Sequence, residues 1–178
     1  MSQEYFLREL CKEDAVVINS WRADRELISK LGAGFRYIDV SVDARWLDSY
    51  MERRNNNVRL AVCCKVSKAV VGVVYLIAID WLNRNCELAI MVGEKQHRGK
   101  GAGTYAIREA LEHAFSDLNL HRVYLTVLQN NSPAISLYKK FGFIEEGLFR
   151  ESVYKEGEYK NVISMACLRT DFHREQCK

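Results

Sequence analysis

The sequence runs Gly93-Glu-Lys-Gln-His-Arg-Gly-Lys-Gly-Ala-Gly103 between a predicted strand and the most regular predicted helix of the chain. Glycine at positions 99, 101 and 103 lets main-chain N–H groups converge, and the helix start behind them carries partial positive charge. Arg98 and Lys100 add two full charges. Several charge-assisted hydrogen bonds from such a loop would hold a diphosphate firmly. The stretch therefore predicts an anion site between a strand and a helix.

Two other phosphate-binding loops compete with this interpretation. A Walker A loop needs Ser or Thr after its lysine, whereas Lys100 is followed by Gly101. The residues 101–106, Gly-Ala-Gly-Thr-Tyr-Ala, do satisfy the dinucleotide-binding pattern. However, the next predicted strand ends at 128–130 in Leu-Gln-Asn, with no acidic residue for a ribose hydroxyl. A dinucleotide site is therefore the nearer of the two alternatives, and a plain turn would not need three alternating glycines.

The pattern around the loop predicts a mixed sheet with helices, of the α/β or α+β class. The predicted helices are 13–29, 43–53 and 104–118, the last with a single apolar stripe of period 3.6. A further helix is expected with Ser132 as N-cap, Pro133 as first residue and Gly142 after its end. The predicted strands are 5–10, 60–66, 69–79, 86–92, 122–128, 143–154 and 159–168.

Composition places the chain among globular proteins. Its 178 residues, 48% hydrophobic and 28% charged, predict one domain over residues 1–178. With 26 Lys and Arg against 23 Asp and Glu, the net charge of +3 is too balanced for coating nucleic acid or an anionic membrane. The longest apolar run, 69–79, is shorter than the ~20 residues that span a bilayer. No signal-peptide pattern opens the chain, so we expect a cytoplasmic protein without nucleic-acid or membrane partners.

Cysteine and histidine spacing predicts neither disulfides nor a metal site. The six cysteines stand at 11, 63, 64, 86, 167 and 177, without any C-x-x-C pair. The four histidines, at 97, 113, 121 and 173, lack the spacing of metal ligands. We expect free thiols, a reducing compartment and no metal.

Two blocks carry a family resemblance. Gln96-His-Arg-Gly-Lys-Gly101 resembles the Gln/Arg-x-x-Gly-x-Gly/Ala signature with which the GNAT superfamily of N-acetyltransferases cradles the coenzyme A pyrophosphate. Asn131-Ser-Pro-Ala-Ile-Ser-Leu-Tyr-Lys-Lys-Phe-Gly-Phe143 is similar to a later segment of that superfamily. Flanking residues extend the resemblance over 5–168 and look like the RimJ/RimL-like branch, which includes spermidine and amino-sugar acetyltransferases. The resemblance implies acetyl-CoA as cosubstrate and a mostly antiparallel central sheet, splayed at the cofactor site and flanked by helices.

Two residues are candidates for catalysis. An alkylamine with a pKa near 10.4 must lose a proton before it attacks a thioester. Glu87 shares a strand face with Ala89 and Met91, so apolar neighbours would raise its pKa and suit it as the general base. Tyr138 matches the superfamily tyrosine and would donate a proton to the departing CoA thiolate. The alternatives are, for Glu87, an ion pair with Arg84 or an exposed charge at the end of the strand, and, for Tyr138, a core role.

The resemblance also implies a donor site. The predicted cofactor-binding residues are Ile90, Met91, Val92, Gln96, Arg98, Gly99, Lys100, Gly101, Ala102, Gly103, Thr104 and Asn131. The first three are expected to run beside the pantetheine arm like an added strand, with a main-chain N–H near the acetyl oxygen. Asn131 would bond a pantetheine amide or act as a turn or cap residue.

The acceptor is open among a polyamine, an amino sugar and a protein N-terminus. The carboxylates Asp39, Asp43, Asp48 and Glu52 are offset by Arg36, Arg45, Arg53 and Arg54. Because that mixture is a poor trap for a polycation, we expect an amine with a nearby anionic group to be preferred over spermidine. In contrast, asparagine at position 161 resembles the pattern of the spermidine acetyltransferases, which favours a polyamine acceptor.

Four aromatic residues, Phe35, Tyr37, Trp46 and Trp81, lie in segments expected to wall the acceptor cleft. A non-catalytic acyl-CoA sensor or interaction module on the same scaffold is the alternative function. A homodimer is also compatible with the sequence.

Overall fold

A seven-stranded sheet forms the centre of the structure, a computed structural model that describes residues 4–172. The strands are β1 Tyr5–Glu9, β2 Val58–Cys64, β3 Val70–Asp80, β4 Asn85–Met91, β5 Arg122–Leu128, β6 Ile144–Lys155 and β7 Glu158–Leu168. Their spatial order is β1-β2-β3-β4-β5-β7-β6, and every neighbouring pair is antiparallel except β4 and β5. The predicted fold class and each predicted strand are confirmed, with ends shifted by a few residues at most.

Helices flank this sheet. They are α1 Asp14–Arg22, α2 Arg25–Ser29, α3 Val40–Glu52, α4 Ala102–Glu112 and α5 Ser132–Lys140. The α4 helix continues as a π-helical turn over His113–Asp117, so the apolar stripe predicted for 104–118 is helical. It begins at Ala102 because Gly101, in a left-handed conformation, acts as its N-cap.

The prediction of one helix over 13–29 is wrong. The α1 helix ends at Arg22 with Ala23 as its C-cap, and the Asp24 side chain accepts a hydrogen bond from the Leu27 N–H (3.1 Å) to begin α2. Buried apolar residues recur on both sides of the break, so the periodicity conceals it. The one local signal was Asp24 itself, since Asp is a favoured N-cap.

The start of α5 also differs from the prediction by one residue. Asn131, not Ser132, is the N-cap, and its Oδ1 accepts a hydrogen bond from the Ala134 N–H (3.3 Å). Asn and Ser are nearly equivalent as caps, so residue type alone did not distinguish them. Gly142 follows the helix with a φ of +89°, as predicted for the residue after a helix end.

Both faces of the sheet are covered. In β2, Val62 belongs to an apolar cluster that includes α4, whereas Ala61 and Cys63 belong to a second cluster with Trp21 of α1 and Leu47 of α3. Alternate residues of a strand point to opposite faces, so β2 is buried on both sides. This sandwiching explains why the central strands read as nearly continuous apolar runs.

The sheet opens between its two parallel strands. β4 and β5 pair only at Asn85–Arg122, Cys86–Val123 and Glu87–Tyr124. β4 then stays paired with β3 as far as Met91, and β5 stays paired with β7 as far as Leu128. Main-chain groups of β4 beyond Glu87 that point away from β3 therefore face an opening. The predicted splay is confirmed at this place.

Cysteines 11, 63, 64, 86 and 167 carry free thiols, while Cys177 and His173 lie outside the described residues. Between residues 4 and 172, no group of three His, Cys, Asp or Glu side chains is placed to hold a metal ion. None of the helices in that range is long and apolar enough to cross a membrane.

Candidate active site

A cavity of about 630 Å³ lies where β4 and β5 separate. Its walls include residues 87–91 of β4, residues 126–128 of β5, most of the irregular stretch 30–38 and the β6 residues Phe149, Ser152 and Val153. We call the stretch 30–38 the α2–α3 segment. The predicted site residues that line the cavity are Glu87, Ile90, Met91, Asn131 and Tyr138.

Glu87 is a half-buried carboxylate at the end of the paired part of β4. Burial raises its pKa above the ordinary value for glutamate. The expected alternative, an ion pair with Arg84, is absent from the structure, because the Arg84 guanidinium donates to Asn119 O (2.9 Å) and Oδ1 (3.0 Å). No Lys or Arg among residues 4–172 forms a salt bridge with Glu87.

Tyr138 is a core residue whose side chain also reaches the cavity. Its side chain is 8% exposed and its ring lies 5.7 Å from that of Phe143, so it is a core residue. It also lines the cavity. Burial raises its pKa to about 12, so the phenol remains protonated at neutral pH.

The glycine loop adopts a conformation that requires two of its glycines. Gly99 and Gly101 have φ values of +71° and +90°, and both are exposed. A Cβ at either position would meet no atom within 4 Å, so the left-handed backbone rather than lack of space requires glycine. Gly103 is different, because an added Cβ would make only an ordinary contact with Leu137 Cδ2 at 3.5 Å.

Side chains from three directions fix this loop. Arg98 donates to Val92 O (3.0 Å) and Gly93 O (2.6 Å), which ties the loop to the end of β4. The Tyr5 hydroxyl of β1 lies 3.1 Å from His97 Nδ1. From α1, the Trp21 ring lies so close to Gly93 that an added Cβ would be 1.9 Å from Trp21 Cδ2. The loop is therefore tied to the end of β4, to β1 and to α1.

The loop and the cavity adjoin each other without sharing lining residues. Val92, Gln96 and residues 98–104 are not part of the cavity wall. Gly103, at the start of α4, lies close to both sides of the cavity. An added Cβ there would lie 3.7 Å from Val92 Cγ2 and 3.5 Å from Leu137 Cδ2 of α5. Val92 follows Met91, the last β4 residue of the cavity wall. Leu137 immediately precedes Tyr138, so the start of α4 leads directly to the cavity.

Three cations line the cavity: Arg22, Lys30 and Arg36. The sequence pointed to Arg36 among the arginines near the acceptor, but not to Arg22 or Lys30. Lys30 lies in the α2–α3 segment, which has no periodicity, and Arg22 ends a helix, so no pattern marked these two. Glu87 is the carboxylate in the same wall. Asp43, one of the carboxylates predicted to lie among arginines near the acceptor, does not line the cavity. It is buried, forms a salt bridge with Arg22 and accepts a hydrogen bond from Asn19 Nδ2 (2.8 Å).

The four aromatic candidates separate in the structure. Trp46 lines the cavity, whereas Phe35 and Tyr37 line a smaller neighbouring one of about 350 Å³. Trp81 lies in the β3–β4 turn and donates its indole N–H to Asn55 O (3.3 Å), so it is not a cavity residue.

A mostly antiparallel sheet that opens between two parallel strands, with a glycine loop leading into a helix beside the opening, defines the class of GNAT-type N-acetyltransferases. Comparison with known proteins gives the family directly. Residues 5–144 match the profile described as Acetyltransferase (GNAT) domain. The chain belongs to this family and is an N-acetyltransferase, so the dinucleotide-site alternative is excluded.

The chain is similar to enzymes named for a polyamine. It is 36% identical over 118 residues to spermidine N(1)-acetyltransferase of Vibrio cholerae, covering 66% of this chain and 68% of that protein. The Escherichia coli K12 enzyme of the same name is 34% identical over 117 residues, covering 66% of this chain and 61% of that protein. A crystal structure of the Vibrio cholerae spermidine N-acetyltransferase with CoA and spermine matches with a TM-score of 0.85 and 30% identity, covering 94% and 97% of the two chains.

The burial of Glu87 has a consequence for stability that can be measured. Because its pKa is higher in the folded than in the unfolded chain, the folded state binds more protons between the two values, and stability falls as pH rises through that window. Glu87→Gln does not titrate, so it should be more stable than wild type at pH 7. The difference should shrink as pH falls towards about 4, where glutamate protonates in the unfolded chain. Urea unfolding at several pH values measures it.

Glu146→Gln is the control of opposite sign. The Arg122 guanidinium holds the pKa of Glu146 below its ordinary value, so this substitution should destabilise at neutral pH. A pH-independent difference for Glu87→Gln would contradict the assigned environment of Glu87.

Proposed function

We propose that the protein transfers the acetyl group of acetyl-CoA to a primary amine held in the cavity between β4 and β5. The observation that carries this proposal is the pairing of Glu87 and Tyr138 in one cavity wall beside the glycine loop. One is a carboxylate without a cationic partner among the described residues, and the other is a protonated phenol. These are the two proton-transfer groups that amine acylation needs.

The start of α4 supports a diphosphate site. Tyr105 N–H makes the first hydrogen bond within the helix, to Gly101 O (2.9 Å). The N–H groups of Ala102, Gly103 and Thr104 precede that bond and have no acceptor within the helix. They point out of a helix start whose partial charge is positive, next to exposed Lys100. We assign the CoA pyrophosphate to these groups, with Gln96, Arg98, Gly99 and Gly101 shaping the loop.

The open edge of β4 supports a site for the pantetheine arm. Beyond Glu87 this edge is unpaired on the β5 side, and Ile90 and Met91 line the cavity. An extended chain with amide groups satisfies such an edge as an added strand would. We assign Ile90, Met91 and Val92 to this contact. Asn131 already caps α5 and donates Nδ2 to Lys30 O (3.1 Å), which favours its cap role.

Acetyl-CoA supplies an activated acyl group as a thioester, and the residues of this chain move the protons. Glu87, with its raised pKa, accepts the proton of the bound ammonium group, directly or through water. The neutral amine attacks the thioester carbonyl and the C–S bond breaks. Tyr138 donates its hydroxyl proton to the departing sulfur and takes back the second proton that the nitrogen releases as it becomes the amide. Both side chains line the same cavity, so both can serve one bound acceptor.

The names of the similar enzymes support a polyamine such as spermidine as the acceptor. A second acceptor class has its own observation, the three cations Arg22, Lys30 and Arg36 in the cavity wall. Arg22 is neutralised by Asp43 and Lys30 pairs with Glu26, whereas Arg36 is exposed and forms no salt bridge within residues 4–172. An acceptor with an amine and an anionic group would use this charge. The five free thiols suit a reducing compartment, and we place the reaction in the cytoplasm.

The donor site is tested at Gly101. Gly101→Ala should weaken CoA binding roughly tenfold or more, because alanine at a φ of +90° costs about 1–2 kcal/mol and shifts the loop. Calorimetry with CoA measures the affinity. Gly157→Ala is a matched control, since Gly157 has a φ of +86° and equal free space but lies in the β6–β7 turn. Equal affinities in both variants would remove the diphosphate from this loop.

The leaving-group acid is tested by Tyr138→Phe. Turnover should fall by roughly 10²- to 10⁴-fold with little change in acetyl-CoA affinity, because the hydroxyl acts mainly in the transition state. Thiol release during turnover and calorimetry give the two numbers. Tyr154→Phe, at an exposed tyrosine outside the cavity wall, should leave both unchanged. Wild-type turnover in Tyr138→Phe would leave Tyr138 with a core role only.

The acceptor is tested by a panel of spermidine, an amino-sugar nucleotide and an N-terminal peptide at fixed acetyl-CoA. We expect spermidine to be acetylated, and Arg36→Ala to raise its kcat/KM by about three- to tenfold, because a like charge is removed from the wall. Arg45→Ala, an exposed arginine outside the wall, is the control. If an anionic acceptor exceeds spermidine tenfold and Arg36→Ala abolishes that preference, the second acceptor class is correct.

A further inference from the structure

The α2–α3 segment is a large part of the cavity wall with little structure of its own. Seven of the wall residues lie in it: Lys30, Leu31, Gly32, Ala33, Gly34, Arg36 and Ile38. It forms no helix or strand. It contains Gly32 and Gly34, and close packing does not explain either glycine, because an added Cβ at these positions would meet no atom within 4 Å. Such a stretch is mobile unless other parts of the fold hold it.

Lys155 holds this segment from the far end of β6. Its ammonium donates to Ile28 O (2.8 Å) and to Ala33 O (2.6 Å), one before the segment and one inside it. For the described main chain from 32 to 37, the bond to Ala33 O is the only hydrogen bond in the structure. The Asn131 bond to Lys30 O fixes the beginning of the segment, and Asn19 Nδ2 fixes its end at Ile38 O (2.9 Å). In the middle, Lys155 holds the main chain, while Arg25 holds two side chains, with its guanidinium 4.0 Å from the Phe35 ring centroid and 2.9 Å from the Tyr37 hydroxyl.

The lysine is unusual in its surroundings. It is 7% exposed and forms no salt bridge among residues 4–172, so burial lowers its pKa. A buried ammonium group is costly unless its hydrogen bonds are satisfied, and here main-chain carbonyls satisfy them. An apolar residue would avoid the cost of burial but would leave Ala33 O without a donor. The same β6 strand contributes Phe149, Ser152 and Val153 to the cavity wall.

We propose that Lys155 is a positioning residue for the acceptor, because its two hydrogen bonds lock the α2–α3 segment against the β6 wall and so set the width of the cavity. The proposal rests on the proposed function in one respect, namely that the cavity receives the amine. It assigns no contact between Lys155 and either substrate. Loss of the ammonium group should therefore affect acceptor binding more than the chemical step or the donor site.

The test compares Lys155→Met, which keeps the apolar stem and removes the donors, with Lys155→Arg, which keeps charge and donors. In Lys155→Met we expect the KM for the acceptor to rise roughly tenfold or more. The α2–α3 segment loses a charge-assisted hydrogen bond in this variant, and part of the acceptor's binding free energy must then order the segment. We expect kcat to stay within about threefold and CoA affinity to be unchanged. Lys155→Arg should recover most of the acceptor KM. Lys160→Met, in the same hairpin, is the control.

Hydrogen–deuterium exchange gives a readout that does not depend on activity. Amides of residues 31–37 should exchange at least tenfold faster in Lys155→Met than in wild type, while α4 and the glycine loop stay unchanged. Unaltered exchange together with an unaltered acceptor KM would overturn the proposal. Equal rises in the KM of acceptor and acetyl-CoA would also overturn it, since they indicate a general loss of structure. If Lys155→Met does not fold, Lys155→Gln, which keeps one donor group, replaces it with the same criteria.

The two proposals fail in different ways. If wild type binds CoA but acetylates no amine, the proposed function fails while the exchange experiment still decides whether Lys155 locks the segment. If wild type acetylates amines and the amides of residues 31–37 exchange at the same rate in Lys155→Met as in wild type, the positioning role fails while the proposed function stands.

Discussion

The separation of β4 from β5 after Glu87 and Tyr124 is the constraint on which the rest of the structure depends. Two parallel strands that diverge lose their shared hydrogen bonds and leave main-chain groups in need of partners. The outer neighbours compensate, since β3 keeps β4 paired to Met91 and β7 keeps β5 paired to Leu128. The opening is therefore rigid on both sides. A rigid opening with unpaired main-chain groups is suited to an extended ligand that carries amides.

Features encoded in contiguous residues could be predicted from the sequence. The glycine loop is such a feature, because the left-handed conformations of Gly99 and Gly101 and the start of α4 depend on neighbouring residues only. The strands were predictable for the same reason, since period and β-branching are local. Glu87 and Tyr138 could be predicted as candidates because Glu87 shares a strand face with apolar neighbours and Tyr138 lies in a family motif. Their presence in one cavity wall adds geometry to that argument.

Features that arise from distant contacts were not predictable. The break between α1 and α2 interrupts a continuous apolar pattern, so only Asp24 marked it. The cations Arg22 and Arg36 become neighbours through folding of an irregular segment, which has no period to analyse. Lys155 is separated from Ala33 by more than one hundred residues of chain, and its hydrogen bonds involve main-chain oxygens that every residue carries. No sequence pattern distinguishes such a lysine from an exposed one.

In the proposed function, the groups assigned to proton transfer and the charge assigned to acceptor selection lie on different elements of the cavity wall. Burial raises the pKa of Glu87, and no Lys or Arg within residues 4–172 forms a salt bridge with its carboxylate. Arg36 lies in the α2–α3 segment, whereas Glu87 lies in β4 at the edge of the opening. In the proposed function, the reacting amine lies at Glu87, and another part of the acceptor lies near Arg36, the wall cation that has no salt bridge within residues 4–172. Substitutions in the α2–α3 segment can change the preferred acceptor without altering the base, which is a physical route by which one scaffold serves amines of different charge.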